Sequence, residues 1–316
     1  MTGSAPACYN ADMPRYNTKL AYADIDLAQW RDYTDIFTDS LWSLKSRLNS
    51  KGHTLDYHGN FIPQIAEQVY ARYTKRDDIV VDWFLGSGTS AIEAVNQHRR
   101  LIGIELKGDL LDYVAGKLPP EAIGDRISLI QGDSTTPATL RKVRRAIKKM
   151  GEKYAQLAIL HPPYANIIQF SDHEDDLSNC PSTESFIDGF KRVAANAYAT
   201  LEPGRFAALV IGDKYTKGEL DPLGFKCMQA MNEVGFRLKS IIVKNIEGNE
   251  EAKGKDNNLW RYRALAGGFY VFKHEYIMIF FKWPPMTRVK RAAQTDEPTE
   301  VPSLHHRKLS QLDLIL

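Results

Sequence analysis

Cysteine and long apolar runs are both scarce in this chain. Its 316 residues include only Cys8, Cys180 and Cys227, in no metal-like spacing, which argues against a disulfide scaffold or a zinc site. No apolar run approaches the ~18 residues of a membrane span, and the N-terminus lacks a signal-peptide pattern. These absences predict a cytoplasmic protein with no metal and no membrane partner. There is no internal repeat. Charge of one sign is missing too: 41 Lys and Arg against 39 Asp and Glu leave a net charge of +2, so any charged surface must be local. What is present is 43% hydrophobic content, enough at this length to bury one large core with appendages.

Two short segments carry most of the chemistry. The first is Asp82-Trp83-Phe84-Leu85-Gly86-Ser87-Gly88-Thr89. The β-branched run Ile79-Val80-Val81 precedes it and the helix-favouring Ser90–Val95 follows, so the spacing predicts strand, tight turn, helix. Gly86 and Gly88 permit backbone conformations and a close ligand approach that a Cβ obstructs, and the helix start offers free N–H groups to an electron-rich ligand. A bare G-x-G also occurs in dinucleotide folds and in structural turns. Register narrows the choice, because Leu101–Ile104 ends in Glu105 and Ile127–Ile130 leads to Gly132-Asp133. At the carboxyl edge of a parallel sheet, the first acid can accept from ribose hydroxyls and the second can read an adenine amino group.

The second segment, His161-Pro162-Pro163-Tyr164, leaves another apolar run, Leu157–Leu160. Two prolines fix the backbone and remove two amide donors, freeing carbonyls as acceptors. An exocyclic amine held on such a carbonyl aims its nitrogen lone pair at an electrophile, while Tyr164 stacks on the ring.

On these residues the chain resembles the amino-group DNA methyltransferases that use S-adenosylmethionine. Phe84, Gly86, Gly88 and Thr89 match the family's methionine-binding Phe-x-Gly-x-Gly-Thr, and Pro162-Pro163-Tyr164 matches its catalytic motif. Tyr57-His58-Gly59-Asn60-Phe61-Ile62-Pro63 resembles the cofactor-covering motif upstream, and Phe272–Lys282 looks like the last strand of the family's sheet. The resemblance implies an α/β, Rossmann-like class I fold: a mostly parallel seven-stranded sheet with an antiparallel strand near the C-terminus. It implies His161, Pro162, Pro163 and Tyr164 as the catalytic group, and His58, Asn60, Phe61, Pro63, Asp82, Phe84, Gly86, Gly88, Thr89, Glu105 and Asp133 as the cofactor site. It further implies methyl transfer to cytosine N4 or adenine N6 of an extruded base in double-stranded DNA, in a prokaryote or phage, with a cognate restriction enzyme and a second copy of the chain as candidate partners.

One position departs from the family, which has Asp, Asn or Ser where this chain has His161. A neutral imidazole still offers one acceptor nitrogen, whereas a protonated one offers none and repels positive charge developing on the amine. The role therefore requires neutral His161.

Candidate nucleic-acid contacts are local. Arg144 and Arg145 belong to the basic run 141–149, read equally well as a solvated helix face, and Lys239–Arg263 alternates cations with amides and aromatics. Within that stretch Asn258, Trp260, Arg261 and Arg263 sit in a loop-like segment suited to base edges and to the gap left by an extruded base. The predicted organisation is an aromatic N-terminal extension over 1–50 carrying a docking helix (Trp30, Tyr33, Phe37, Leu41, Trp42, Leu44), a catalytic domain over 51–284, and a flexible tail over 285–316. Recognition falls to small insertions near 165–182, an acidic flap, and 245–268. Two other readings stay open: an RNA methyltransferase of the guanine N2 type, and a catalytically silent nucleic-acid-binding module.

Overall fold

Alternation along buried strands decides the architecture. In the run from Ile79, residues Ile79 and Val81 enter one hydrophobic core while Val80 enters another, the period-two signature of a strand covered on both faces. The computed structural model describes residues 19–47, 53, 60–165, 169–216, 218–246 and 257–284, without the side chains of 257–260. His58, the 285–316 tail, and the side chains of Asn258 and Trp260 lie outside the described residues.

The strands in chain order are β1 (Leu41–Trp42), β2 (Ile79–Asp82), β3 (Arg100–Glu105), β4 (Ile127–Gln131), β5 (Ala155–Leu160), β6 (Leu201–Ile211), β7 (Lys214–Thr216), β8 (Glu219–Asp221), β9 (Arg237–Asn245) and β10 (His274–Phe281). Eight of them form one sheet in the order β1-β9-β10-β6-β5-β2-β3-β4, and β7 and β8 form a separate hairpin. Only β10 runs antiparallel to its neighbours, β6 and β9. The implied seven strands are there, and two-residue β1 extends them by pairing parallel to β9.

The helices are α1 (Pro63–Tyr73), α2 (Thr89–Asn96), α3 (Gly108–Lys117), α4 (Pro137–Lys149), α5 (Thr183–Thr200), α6 (Leu223–Val234) and α7 (Asn257–Gly267). Helices α1 to α3 cover one face and α4 to α6 the other. Their ends are written locally. Pro63 opens α1, Thr136 caps α4 through the Thr139 N–H, and Ser182 and Ser185 form a reciprocal capping box at α5. Among the described residues no helix is long and apolar enough to cross a membrane.

Two elements differ from expectation. The aromatics of the N-terminal segment build no docking helix; residues 19–47 contribute a 3-10 turn, Leu27–Asp32, and then β1. The segment is a strap, because its backbone needs partners that the domain supplies: Gln68 bonds Phe37, Arg72 bonds the Phe37 carbonyl, and Asn245 bonds both backbone groups of Leu44. Phe37 and Trp42 meet edge to face at 5.3 Å. The second difference is Asn257–Arg263, which is helical, as the first part of α7. Leu259, Ala264, Leu265 and Ala266 are good helix formers and outweigh the Asn and aromatic content that reads as loop.

Where β2 ends, Asp82 is fully buried and fastens the following turn. Its carboxylate accepts from the Phe84 N–H at 3.0 Å and from the Ser90 hydroxyl on α2. Burial pushes the carboxyl up to about 6, with Glu105 adding to the rise and the Ser90 and Phe84 donors opposing it. The folded state thus keeps this proton to higher pH than the unfolded chain, in which Asp titrates near 3.9, so stability declines as pH climbs between those values. Asn at this position keeps the bond from the Phe84 N–H through Oδ1 and reverses the other, its Nδ2–H donating to the Ser90 oxygen, without the charge. Relative to wild type, Asp82→Asn is expected to gain about 3 kcal/mol of stability between about pH 4 and pH 7. Denaturant unfolding at the two pH values measures it, and a constant difference between the proteins would contradict the assignment.

Candidate active site

Strands β2 and β5 lie side by side with Val80 opposite Leu157, Val81 opposite Ala158 and Asp82 opposite Ile159. The Trp83 N–H extends the ladder to the Ile159 carbonyl at 3.0 Å. The glycine turn and the Pro-Pro turn, far apart in sequence, therefore leave the sheet together at the carboxyl edge. Here the connections diverge, β2 leading outward to β3 and β5 to β6, which makes the crevice between them the expected ligand position of an open α/β sheet.

The glycine turn is shaped by its neighbours. Gly86 and Gly88 have φ of +56° and +85°, conformations that favour glycine. A Cβ on Gly88 would come within 2.7 Å of Val114 on α3, so this glycine allows close packing, whereas a Cβ on Gly86 would meet nothing nearer than Asn60 Oδ1 at 3.8 Å. Gly86 thus leaves room for a Cβ in ordinary contact, and Gly88 leaves none. Under the turn, Leu85 sits on Gly103 of β3, where a Cβ would approach it to 2.7 Å. Thr89 and Ser90 begin α2 without a side-chain cap, leaving the first N–H groups of the helix facing the turn.

Glu105 ends β3 and accepts from the Gly86 N–H at 3.0 Å and the Lys107 N–H at 3.1 Å, and burial raises its carboxyl above the usual range. Asp133 lies one loop further along the edge, and its two oxygens bind the backbone N–H and hydroxyl of Thr135 at 2.8 and 2.7 Å. Both acids fix their loops and keep lone pairs for a further donor. Asp82 alone of the three is turned wholly inward.

On the other side of the crevice, the His161 ring lies edge to face between Phe61, 5.3 Å away, and Tyr164, 6.0 Å away. Phe61, two residues before α1, therefore reaches the Pro-Pro turn, and Asn60 beside it reaches the glycine turn, so one segment touches both. Arg47 of the N-terminal strap holds the carbonyls of Asn60 and Phe61. Pro63 is buried at the start of α1, and Phe84 packs against the core under α5. His161 has no hydrogen-bond partner among the described residues, and burial lowers its pKa; Glu275 opposes that shift and Lys244 adds to it. The imidazole is neutral at neutral pH.

Tyr164 exposes a group that its sequence position does not announce. Its hydroxyl donates to Glu275 Oε2 at 2.9 Å, and Lys244 Nζ donates to Glu275 Oε1 at 2.6 Å. The ring rests over Gly212 at the end of β6. Lys244, grouped in the sequence with phosphate-binding cations, is buried and paired instead. The only signal in the sequence is that Lys244 ends the apolar run Ile241–Val243 and Glu275 precedes the apolar run that starts at Tyr276.

The basic residues divide. Helix α4 descends from the carboxyl edge, and Arg144 and Arg145 occupy the exposed face of its lower half, away from the crevice. Arg261 and Arg263 are exposed on α7, with Tyr262 between them 69% exposed. That helix belongs to the connection from β9 to β10, which leaves and rejoins the sheet at the crevice edge. The connection is buttressed by the β7–β8 hairpin, where Tyr215 packs on Phe269 and Phe272 and its hydroxyl donates to the Tyr270 carbonyl at 2.9 Å. Near the other insertion, Ser171, Asp176 and Asn179 knit the acidic loop through mutual hydrogen bonds.

The Type II methyltransferase M.ScaI of Streptomyces caespitosus is 39% identical over 62 residues, a stretch covering 20% of this chain and 20% of that protein. Among solved structures, a TehB-like SAM-dependent methyltransferase from Corynebacterium glutamicum aligns with 71% of this chain and 90% of its own at 17% identity and a TM-score of 0.41. TrmN from Thermus thermophilus aligns with 71% and 50% at 14% identity and a TM-score of 0.43. A family model described as DNA methylase, of the N6 and N4 type, matches residues 11–115 and 155–310, leaving out Asp133, Arg144 and Arg145. With both motifs and most of its length inside that match, the chain belongs to the N6/N4 DNA methylase family.

Proposed function

We propose that the chain binds S-adenosylmethionine over the glycine turn and transfers its methyl group to the exocyclic amine of a cytosine or adenine extruded from duplex DNA. The observation that carries this reading is the joint exit of Phe84–Thr89 and His161–Tyr164 from paired strands, with Phe61 lying across His161. Family membership supports DNA as the substrate. The exposed Arg261 and Arg263 at the crevice edge supply phosphate contacts of the required sign.

The residues of the crevice fit this cofactor. Gly86 borders space that a Cβ would fill, the uncapped start of α2 offers N–H groups to a carboxylate, and Glu105 retains acceptors for a ribose diol. Asp133 stands further along the edge with lone pairs for an adenine amino group. When bound, S-adenosylmethionine supplies an electrophilic methyl group. The chain supplies the aim. His161 accepts a hydrogen bond from the target amine through its unprotonated nitrogen, a carbonyl of the Pro162-Pro163 turn accepts a second, and the Tyr164 ring stacks on the base. Phe61 excludes water from one side of the imidazole.

Incubation with labelled cofactor is expected to label duplex DNA and not tRNA, and nucleoside digestion with mass spectrometry identifies the base. Label in tRNA alone would favour the RNA reading, and none in either the silent module. Gly86→Val is expected to abolish cofactor binding, because φ of +56° strains a β-branched residue and its side chain enters the ligand space. Calorimetry reads this directly, with unchanged affinity removing the turn from the site.

His161 gives a pH signature. Burial holds its pKa below the ordinary 6.5, so the neutral acceptor persists through neutral pH and turnover is expected to fall only on the acid side of that value. His161→Asn retains an acceptor and should keep measurable activity while losing this acid limb, and His161→Ala should be nearly inactive. Transfer by the alanine variant at the parent rate would show that the Pro-Pro turn and Tyr164 position the amine unaided.

A further inference from the structure

We propose that Glu275 and Lys244 form a buried positioning pair that fixes the Tyr164 ring in its stacking orientation before a base arrives; the proposal rests on the methyl-transfer reading above. The two residues stand directly opposite each other across β9 and β10, Lys244 4% and Glu275 8% exposed. Lys244 Nζ donates to one carboxylate oxygen of Glu275 at 2.6 Å, and the Tyr164 hydroxyl donates to the other at 2.9 Å.

A buried ion pair is a poor way to gain stability, since apolar side chains of similar volume do as well or better. What the pair supplies is direction. Beside the Lys244 ammonium, Glu275 is an ionised carboxylate, which only accepts, so the Tyr164 hydroxyl must be the donor and its proton points away from the crevice. Two further contacts complete the restraint: Gly212 under the ring, where a Cβ would come within 2.9 Å of Cε2, and the His161 ring at its edge. The ring is held at hydroxyl, underside and edge by three elements, β6, β10 and the catalytic turn. Burial and the Glu275 carboxylate raise the hydroxyl's pKa well above 10, so Tyr164 acts as a surface and not as a proton carrier.

Glu275 and Lys244 touch no substrate in this scheme and act through Tyr164. Two readouts test it in the full chain. Incorporated fluorotyrosine gives a fluorine NMR line for Tyr164, identified by its loss in Tyr164→Phe. That line is expected to be single and narrow in the parent, and shifted and broadened both in Glu275→Gln and in the pair Lys244→Met with Glu275→Met. The paired variant leaves no buried charge behind and so separates loss of positioning from failure to fold. In the second readout, kcat on unmethylated genomic DNA should fall roughly tenfold in the paired variant, the scale of one base-stacking contact. Cofactor affinity by calorimetry should stay unchanged, and the same pair added to Tyr164→Ala should lower kcat no further. An unmoved fluorine line, or an equal kcat loss on the Tyr164→Ala background, overturns the proposal. A parent protein that transfers no methyl group to DNA while its Tyr164 line still moves overturns the methyl-transfer reading and leaves the anchor standing.

Discussion

The parallel pairing of β2 with β5 is the constraint on which the site depends. Each strand alone delivers a turn to the sheet edge; only their adjacency, in a register that sets Asp82 against Ile159, opens one crevice between a glycine turn and a Pro-Pro turn. A slip of one residue would send Val81 and Ala158 to the wrong cores. The two hydrophobic clusters therefore fix the geometry of the chemistry as well as the fold, because burial on both faces leaves the register no alternative.

Around that crevice, desolvation acts in different directions on different groups. It keeps an imidazole neutral, and so able to accept, and it holds the Tyr164 phenol protonated. At Asp82 the same burial works against the charge of a carboxylate whose hydrogen bonds shape the turn. In the proposed methyl transfer, desolvation strengthens the hydrogen bond that His161 would accept, and the stability cost falls on the residue that fastens the floor beneath it.

Much of this was legible in the sequence because it was local. Strand, turn and helix from Ile79 to Val95 follow from β-branching and two glycines, and the Pro-Pro turn announces itself. The seven strands and the antiparallel one among them came through the resemblance, and the strand order was not written in any single segment. What escaped notice depends on partners distant in sequence. Glu275 and Lys244 each read only as a charge bordering an apolar run, and their contact exists only through β9–β10 pairing. The N-terminal aromatics have a spacing that suits a helix, yet Gln68, Arg72 and Asn245 draw their backbone into a strap, a tertiary effect that local propensity cannot anticipate. Helix α7 is obscured for the opposite reason, since Asn257, Asn258 and Trp260 are weak helix formers while Leu259, Ala264, Leu265 and Ala266 set its conformation.

The reversed direction of β10 has a consequence for divergence within the family. A strand that enters the sheet from the edge where β9 ends turns their connection into an excursion with both feet at one place. Residues can be added to or removed from such an excursion at a closure cost that grows only with the logarithm of its length, while every strand keeps its partner. Length and composition can thus drift between β9 and β10 without disturbing the pairing of the strands themselves.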